Sequence, residues 1–308
     1  MNPREKSSQN KSLDVVTVGE SMILVTPQES QSVEAAETFG LHVGGAESNV
    51  AVHLHQLGHR VMWLGAVGDD ALGRRLLKTL TLAGLDMANV KIDTGAPTGL
   101  YVKDPGQGVY YYRSGSAASR LGPEAVSDLV LESASVVHLT GITPALSDSC
   151  RELSFDIARR ARQAGAIVSV DVNYRPALWP VDVASKHLLE LCRLADMIFV
   201  GLDEASRVWG CTTPGEVRAL LPNVGRVVVK NDSVGAVEFQ GSEEVFVASL
   251  SVDVVEAIGA GDAFAAGYLS GILRGLSSES RLRLGHERAA QTLLSVTDLP
   301  VTSKEEIS

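Results

Sequence analysis

A chain of 308 residues that is 45% hydrophobic can bury a sizeable core, as one large α/β unit or two smaller ones. Charged residues make up 21% and aromatics 5%, and no apolar run approaches the roughly 18–20 residues that cross a bilayer, which excludes a disordered chain and a helical membrane protein. The net charge of −10, with a pI near 5.2, argues against a nucleic-acid partner but leaves room for a small anion held by local cations and amides.

Residues 1–12 are polar and lack the apolar stretch of a secretory signal, so they read as a disordered leader before a unit spanning 13–306. Strands are predicted at 14–18 (DVVTV), 61–66 (VMWLGA), 136–139 (VVHL), 167–171 (IVSVD), 197–200 (MIFV) and 226–230 (RVVVK). Helices are predicted at 48–57, 148–164 and 184–194. Short, nearly continuous apolar strands alternating with amphipathic helices define an α/β class: a doubly wound, mainly parallel sheet covered on both faces. Residues 21–43 and 91–115 break this rhythm, being strand-like but more polar. Within the second, Asp104-Pro105-Gly106-Gln107-Gly108 supplies turn chemistry for a hairpin. Strands from the two stretches are expected to pair into a small sheet, a lid over a cleft at the carboxyl ends of the main strands. The exposed face of such a lid is a natural interface, so a homodimer or higher homo-oligomer is expected.

Cys150, Cys192 and Cys211 have no CxxC spacing and read as reduced, structural, cytoplasmic thiols. His55 and His59 share a helix face, but no HExxH frame surrounds them, so packing or surface roles are expected for both and for His53. No GxSxG elbow appears, which removes support for acyl transfer.

The segment that carries chemistry is Gly259-Ala260-Gly261-Asp262, a turn opening a helix of small residues. Glycines there permit close approach of a ligand, and the helix start offers unpaired N–H groups and a positive dipole end to an anion. A carboxylate at that spot makes sense if Asp262 takes a hydroxyl proton while the amides hold the developing charge of a phosphoryl group. The alternative is that Asp262 merely caps the helix.

GAGDAFAAGY resembles the C-terminal signature of the ribokinase-like (PfkB) carbohydrate kinases. Gly44 to Ala51 (GGAESNVA), Leu57-Gly58 and the run from Gly65 to Gly73 resemble the N-terminal one. The resemblance implies a ribokinase-like fold, ATP and Mg²⁺, catalysis by Asp262 with Gly259, Ala260, Gly261 and Arg175, and a sugar as acceptor. The pieces VGGAESNVA, TGLY, YYYRSGSAAS, HLTGI and DVNYRPALW are most similar to the branch acting on 2-keto-3-deoxygluconate, a sugar acid. That similarity implies substrate contacts from Gly45, Ala46, Glu47, Asn49, Tyr101, Tyr111, Arg113, Ile142, Asn173, Arg175 and Asp298. It implies nucleotide contacts from Asn173, Lys230, Asn231, Ser233, Gly235, Gly259, Gly261 and His286, with Glu204 reaching magnesium through water. Apart from the family, a sugar acid needs a cation for its carboxylate, and Arg113 and Arg175 are the candidates.

The chain departs from the family pattern on the nucleotide side. Glu256 and Ile258 stand where Asp and Thr are usual, Gly201 replaces an Asn, Asp232 replaces a Gly, and His286 replaces an Asn. Weakened or rearranged ATP binding is the expectation drawn from these changes. The alternatives are a kinase of another sugar (fructose or 5-dehydro-2-deoxygluconate), a nucleoside kinase, and a non-catalytic sugar-binding relative.

Overall fold

Successive residues along each central strand enter two different cores, and this alternation is the basis of the architecture. The computed structural model describes residues 11–29, 31–252 and 258–294. In chain order its first half comprises β1 (Leu13–Val18), β2 (Met22–Pro27), β3 (Phe39–Gly44), α1 (Ala46–Gln56), β4 (Val61–Leu64), β5 (Ala66–Gly68), α2 (Ala71–Leu82), β6 (Lys91–Asp93), β7 (Leu100–Asp104) and β8 (Gly108–Tyr112). There follow α3 (Asp128–Ser133), β9 (Ala134–Thr140), α4 (Asp148–Gln163), β10 (Ile167–Asp171), α5 (Val181–Leu194), β11 (Met197–Gly201), α6 (Leu202–Trp209) and α7 (Pro214–Leu220). The last elements are β12 (Arg226–Asn231), β13 (Gly235–Gln240), β14 (Glu243–Ala248), α8 (Ala260–Leu273) and α9 (Ser278–Leu293).

The main sheet has eight strands in the order β14-β13-β12-β11-β10-β9-β1-β4. Its six-strand parallel part runs from β12 to β4. Val16, Val137, Val168, Ile198 and Val227 pack with α4, α5 and α7, whereas Val15, Val136, Ile167, Phe199 and Val228 pack with α1, α2, α8 and α9. The period of two, with helices on both faces, explains why these strands read as unbroken apolar runs. The fold is ribokinase-like, a large, mostly parallel sheet between helices with a smaller sheet as its lid.

That second sheet has the order β3-β2-β7-β8, with β2 and β7 parallel and the outer pairs antiparallel. Its strands come from the two expected insertions, and Pro105, Gly106 and Gln107 form the hairpin turn. Two corrections apply to the predicted strands. The span 61–66 divides at Gly65, where a Cβ would lie 2.3 Å from the Trp63 ring and 2.8 Å from the Gly19 carbonyl; β4 stays in the main sheet and β5 pairs with β6 instead. Residues 91–93 therefore do not join the lid. The antiparallel pair β13 and β14, absent from the predicted elements, extends the sheet beyond β12.

Among the described residues, no helix is long and apolar enough to cross a membrane. All three cysteines are buried and free. The leader's residues 1–10, together with Glu256 and Asp298, lie outside the described residues.

Candidate active site

Polar residues interrupt the apolar strands where the main sheet meets the lid. Glu20 follows β1, Thr140 ends β9, Asp171 ends β10, Gly201 ends β11, and Lys230 lies at the end of β12. The carboxyl ends of parallel strands are where open α/β sheets bind ligands. Two cavities open there.

The first, about 380 Å³, lies between the lid and the start of α1. Met22, Tyr101, Val109, Tyr111 and Arg113 line it from the lid side, Gly45, Ala46 and Asn49 from α1, and Ile142, Asn173, Arg175 and Asp262 from the main body. The second, about 520 Å³, is lined by Lys230, Asp232, Ser233, Gly235 and Ala260 together with Leu250, Val252, Phe264, His286 and Leu293. Glu204, Lys230 and Gly261 border both.

Asp262 sits on the third residue of α8. It does not cap the helix: Gly259 is the N-cap, in the left-handed conformation at φ 82°, and makes no side-chain cap. Glycine is the residue that adopts this conformation without steric cost. The Asp262 carboxylate instead accepts hydrogen bonds from Asn49 Nδ2 at 2.9 Å and Asn173 Nδ2 at 3.4 Å. Asn173 is held at φ 39°, a left-handed geometry that Asn tolerates. Burial pushes the Asp262 pKa up to about 7; the Asn49 hydrogen bond opposes this, Asp171 reinforces it, and Arg175 and Lys230 oppose it. A carboxylate tuned to neutrality exchanges protons readily near physiological pH.

Lys230 donates to Asp171 Oδ2 at 2.9 Å, and a Cβ on Gly261 would be 3.4 Å from its ammonium. A cation beside the positive end of a helix is stable only with anions nearby, and the surrounding carboxylates supply them. Burial alone would lower the Lys230 pKa, but Asp171, Glu204 and Asp262 outweigh it and the net direction is upward. Glu204 accepts the Gly201 N–H at 2.9 Å, lies 3.8 Å from Arg175, and is raised by burial.

The lid side holds an acid that the sequence reading passed over. Glu20 accepts from Arg113 Nε at 2.7 Å and from the Ser116 hydroxyl at 2.5 Å, and Arg113 lies 5.6 Å over the Tyr111 ring. Its only sequence signal is a lone Gly-Glu step after a strand. Tyr101 and Tyr111 oppose each other across β7 and β8 with rings stacked at 5.8 Å, while Tyr110 and Tyr112 face away.

Other placements correct the expectations. Glu47 is fully buried and does not line the cavity, because the Thr140 and Thr143 hydroxyls hold its Oε1 at 2.7 and 2.8 Å. Asn231 ends β12 paired with Gly235 and lines neither cavity. Asp232, in the place of a glycine, has φ 41° and is solvent-exposed, so its charge is screened. His59 contacts the Ser270 hydroxyl at 2.8 Å and His55 packs over Gly84, as packing residues do.

A buried carboxyl group beside both a cavity of about 380 Å³ and a helix start is an arrangement that phosphoryl transfer to a hydroxyl can use. The chain belongs to the pfkB family of carbohydrate kinases, whose sequence profile matches residues 12–300. It is similar to the 2-dehydro-3-deoxygluconokinase of Bacillus subtilis (strain 168), 38% identical over 89% of this chain and 87% of that protein. The 2-dehydro-3-deoxygluconokinase of Thermoproteus tenax is 34% identical over 84% of this chain and 83% of that one. Among solved structures, the PfkB protein from Polaromonas sp. JS666 has a TM-score of 0.85 at 33% identity, covering 91% of this chain and 96% of that chain.

Proposed function

We propose that this kinase transfers the γ-phosphoryl group of ATP to the terminal hydroxyl of 2-keto-3-deoxygluconate, giving its 6-phosphate. The observation that carries the reading is Asp262, at about 7, on the first cavity beside the junction with the second. Asp262 takes the proton of the hydroxyl as its oxygen bonds to γ-phosphorus, and the bond from that phosphorus to the β-phosphate oxygen breaks to release ADP. The amides of Gly259, Ala260 and Gly261, with Lys230 and Arg175, hold the charge that develops, while the lid excludes water. Asn49 and Asn173 orient the carboxylate.

The residues fit magnesium only as a partner of the nucleotide. Among the described residues no group of three or more His, Cys, Asp or Glu side chains gathers to hold an ion, so phosphate oxygens would supply most ligands, with Glu204 reached through water. When bound, the ion would neutralise charge on the phosphates.

The substrate assignment is supported by the names of the two relatives and by Arg113 and Arg175 on the first cavity. A neutral sugar is the second reading, favoured by the pairing of Arg113 with Glu20, which leaves less positive charge for a carboxylate. A coupled assay of ADP release over sugars and sugar acids tests both. Turnover confined to sugar acids is expected; equal turnover of neutral sugars overturns the assignment.

The lid face turned away from the cavity carries Phe39, Leu41, Tyr110 and Tyr112, all exposed. We propose this face as a homodimer interface. With three buried free thiols, the cytoplasm is the compartment we propose for the reaction.

A further inference from the structure

Asp171 ends β10, an interior strand of the main sheet, and is buried. It lines neither cavity, so it can act on the reaction only through its neighbours. Its Oδ2 accepts from Lys230 Nζ at 2.9 Å, and its Oδ1 has no hydrogen-bond partner among the described residues. A buried ion pair seldom stabilises a fold more than apolar side chains of the same size, so stability alone does not account for Asp171 and Lys230. Three cations line the first cavity with Asp262, and each is engaged elsewhere: Lys230 by Asp171, Arg175 by Glu204 at 3.8 Å, and Arg113 by Glu20. Among the described residues Asp262 itself makes no ion pair; its partners are the neutral amides of Asn49 and Asn173. The helices around it add no free charge: Glu47 of α1 accepts from Thr140 and Thr143, Arg281 of α9 is bonded to Glu238, and His286 of α9 meets Phe264.

We propose that Asp171 is a positioning residue for the transfer: it holds Lys230 beside Gly261 and off Asp262, and its own charge, set outside the cavity, keeps that carboxylate ready to take a proton. The inference rests on Asp262 being the base. An ammonium that reached the base would hold it ionised and weaken its grip on a proton, whereas a second carboxylate nearby strengthens that grip. The two neighbours act in those senses here, Asp171 raising the Asp262 pKa and Lys230 lowering it. Loss of Asp171 therefore works twice in one direction: it removes a negative charge and frees Lys230 for Asp262. Sugar binding is untouched by the change, because Asp171 does not line the first cavity.

The test is the pH dependence of kcat/KM for 2-keto-3-deoxygluconate or, should it prove inert, for the neutral sugar turned over best. Wild type is compared with Asp171→Asn, Asp171→Glu, Lys230→Gln and the double variant Asp171→Asn/Lys230→Gln. Titration of the nucleotide's own phosphates is common to all and drops out of the comparison. Asp171→Asn should level off about one pH unit below wild type, the effect of a charge brought near or removed. Its kcat should fall about tenfold, as a weaker base gives, with KM for the sugar near the wild-type value. Asp171→Glu, which restores the charge, should keep the rising limb where wild type has it. A fall in rate at every pH with the limb unmoved is what a merely structural role gives, and overturns the proposal; so does a limb displaced upward. Should Asp171→Asn fail to fold, the double variant, which leaves no unpaired ammonium behind, is compared with Lys230→Gln. Its limb should lie lower through loss of the Asp171 charge, and coincident limbs overturn the proposal. Full activity of Asp262→Asn overturns the reading of Asp262 as the base, whereas a limb that Asp171→Asn leaves in place overturns only the role of Asp171.

Discussion

Asp262 is held in a state that costs stability. Its pKa is raised from 3.8 in the unfolded chain to about 7, so its cost to stability is absent below about 4, builds as pH rises from about 4 to 7, and is complete above 7. The shift corresponds to a penalty on the order of 4 kcal/mol above pH 7. Asp262→Asn should therefore lose at least about a hundredfold in kcat, the usual range for a general base, while its thermal midpoint rises by several degrees. An unchanged rate would remove Asp262 from the chemistry. Because the base must be ionised, kcat/KM of the wild type should climb with pH and level off above about 7. A flat profile from pH 5 to 8 would contradict this. On the lid side, Glu20→Ala strands the buried Arg113 guanidinium without its partner and should cost about 3 kcal/mol in denaturant unfolding.

The start of α8 depends on one backbone conformation. Gly259→Ala places a Cβ in the left-handed region, at roughly 1–2 kcal/mol, and should tilt the amides at the helix start, so kcat falls more than sugar affinity. Helix α2 provides a contrast within the same resemblance to the family. Asp70, in the run from Gly65 to Gly73, is its N-cap: the carboxylate accepts from Gly73 N at 2.7 Å, from Thr98 N at 2.8 Å and from the Thr98 hydroxyl at 2.9 Å. It fastens α2 to the segment that leads into β7 and lines neither cavity. Asp70→Ala should lower stability by about 1–2 kcal/mol in urea titration and leave KM for the sugar near its wild-type value. Part of that motif is thus a joint between helix and lid rather than a binding loop.

At the scale of the molecule, the proposed dimer would give the lid a second role beside covering the cavity. Tyr101 and Tyr111 line the cavity on one face, while Tyr110 and Tyr112 lie on the other, 50% and 65% exposed. Sedimentation at micromolar concentration should give a dimer, and Tyr112→Asp should dissociate it by adding a charge to an apolar face. A wild-type monomer would exclude the lid interface. Buried ion pairs tie other parts of the molecule together. Arg281 of α9 bonds Glu238 of β13 and the Tyr268 hydroxyl of α8 at 3.1 Å, which fastens the antiparallel edge of the sheet to the helix that carries Asp262.

Local regularities alone made much of this legible: β-branched runs such as Ile167–Asp171 matched their strand end to end, and Gly259 to Asp262 announced a helix start with a carboxylate. Such features depend on neighbours in the chain, through backbone conformation and the period of apolar residues. What required the tertiary structure is pairing across long distances. Asn49 reaches Asp262 across 213 positions, Arg113 is neutralised by Glu20 across 93, and Glu47 is withdrawn from the cavity by Thr140 and Thr143. Residue type shows which groups can ionise or donate, but burial and the partner a fold supplies decide which of them remain available to a ligand.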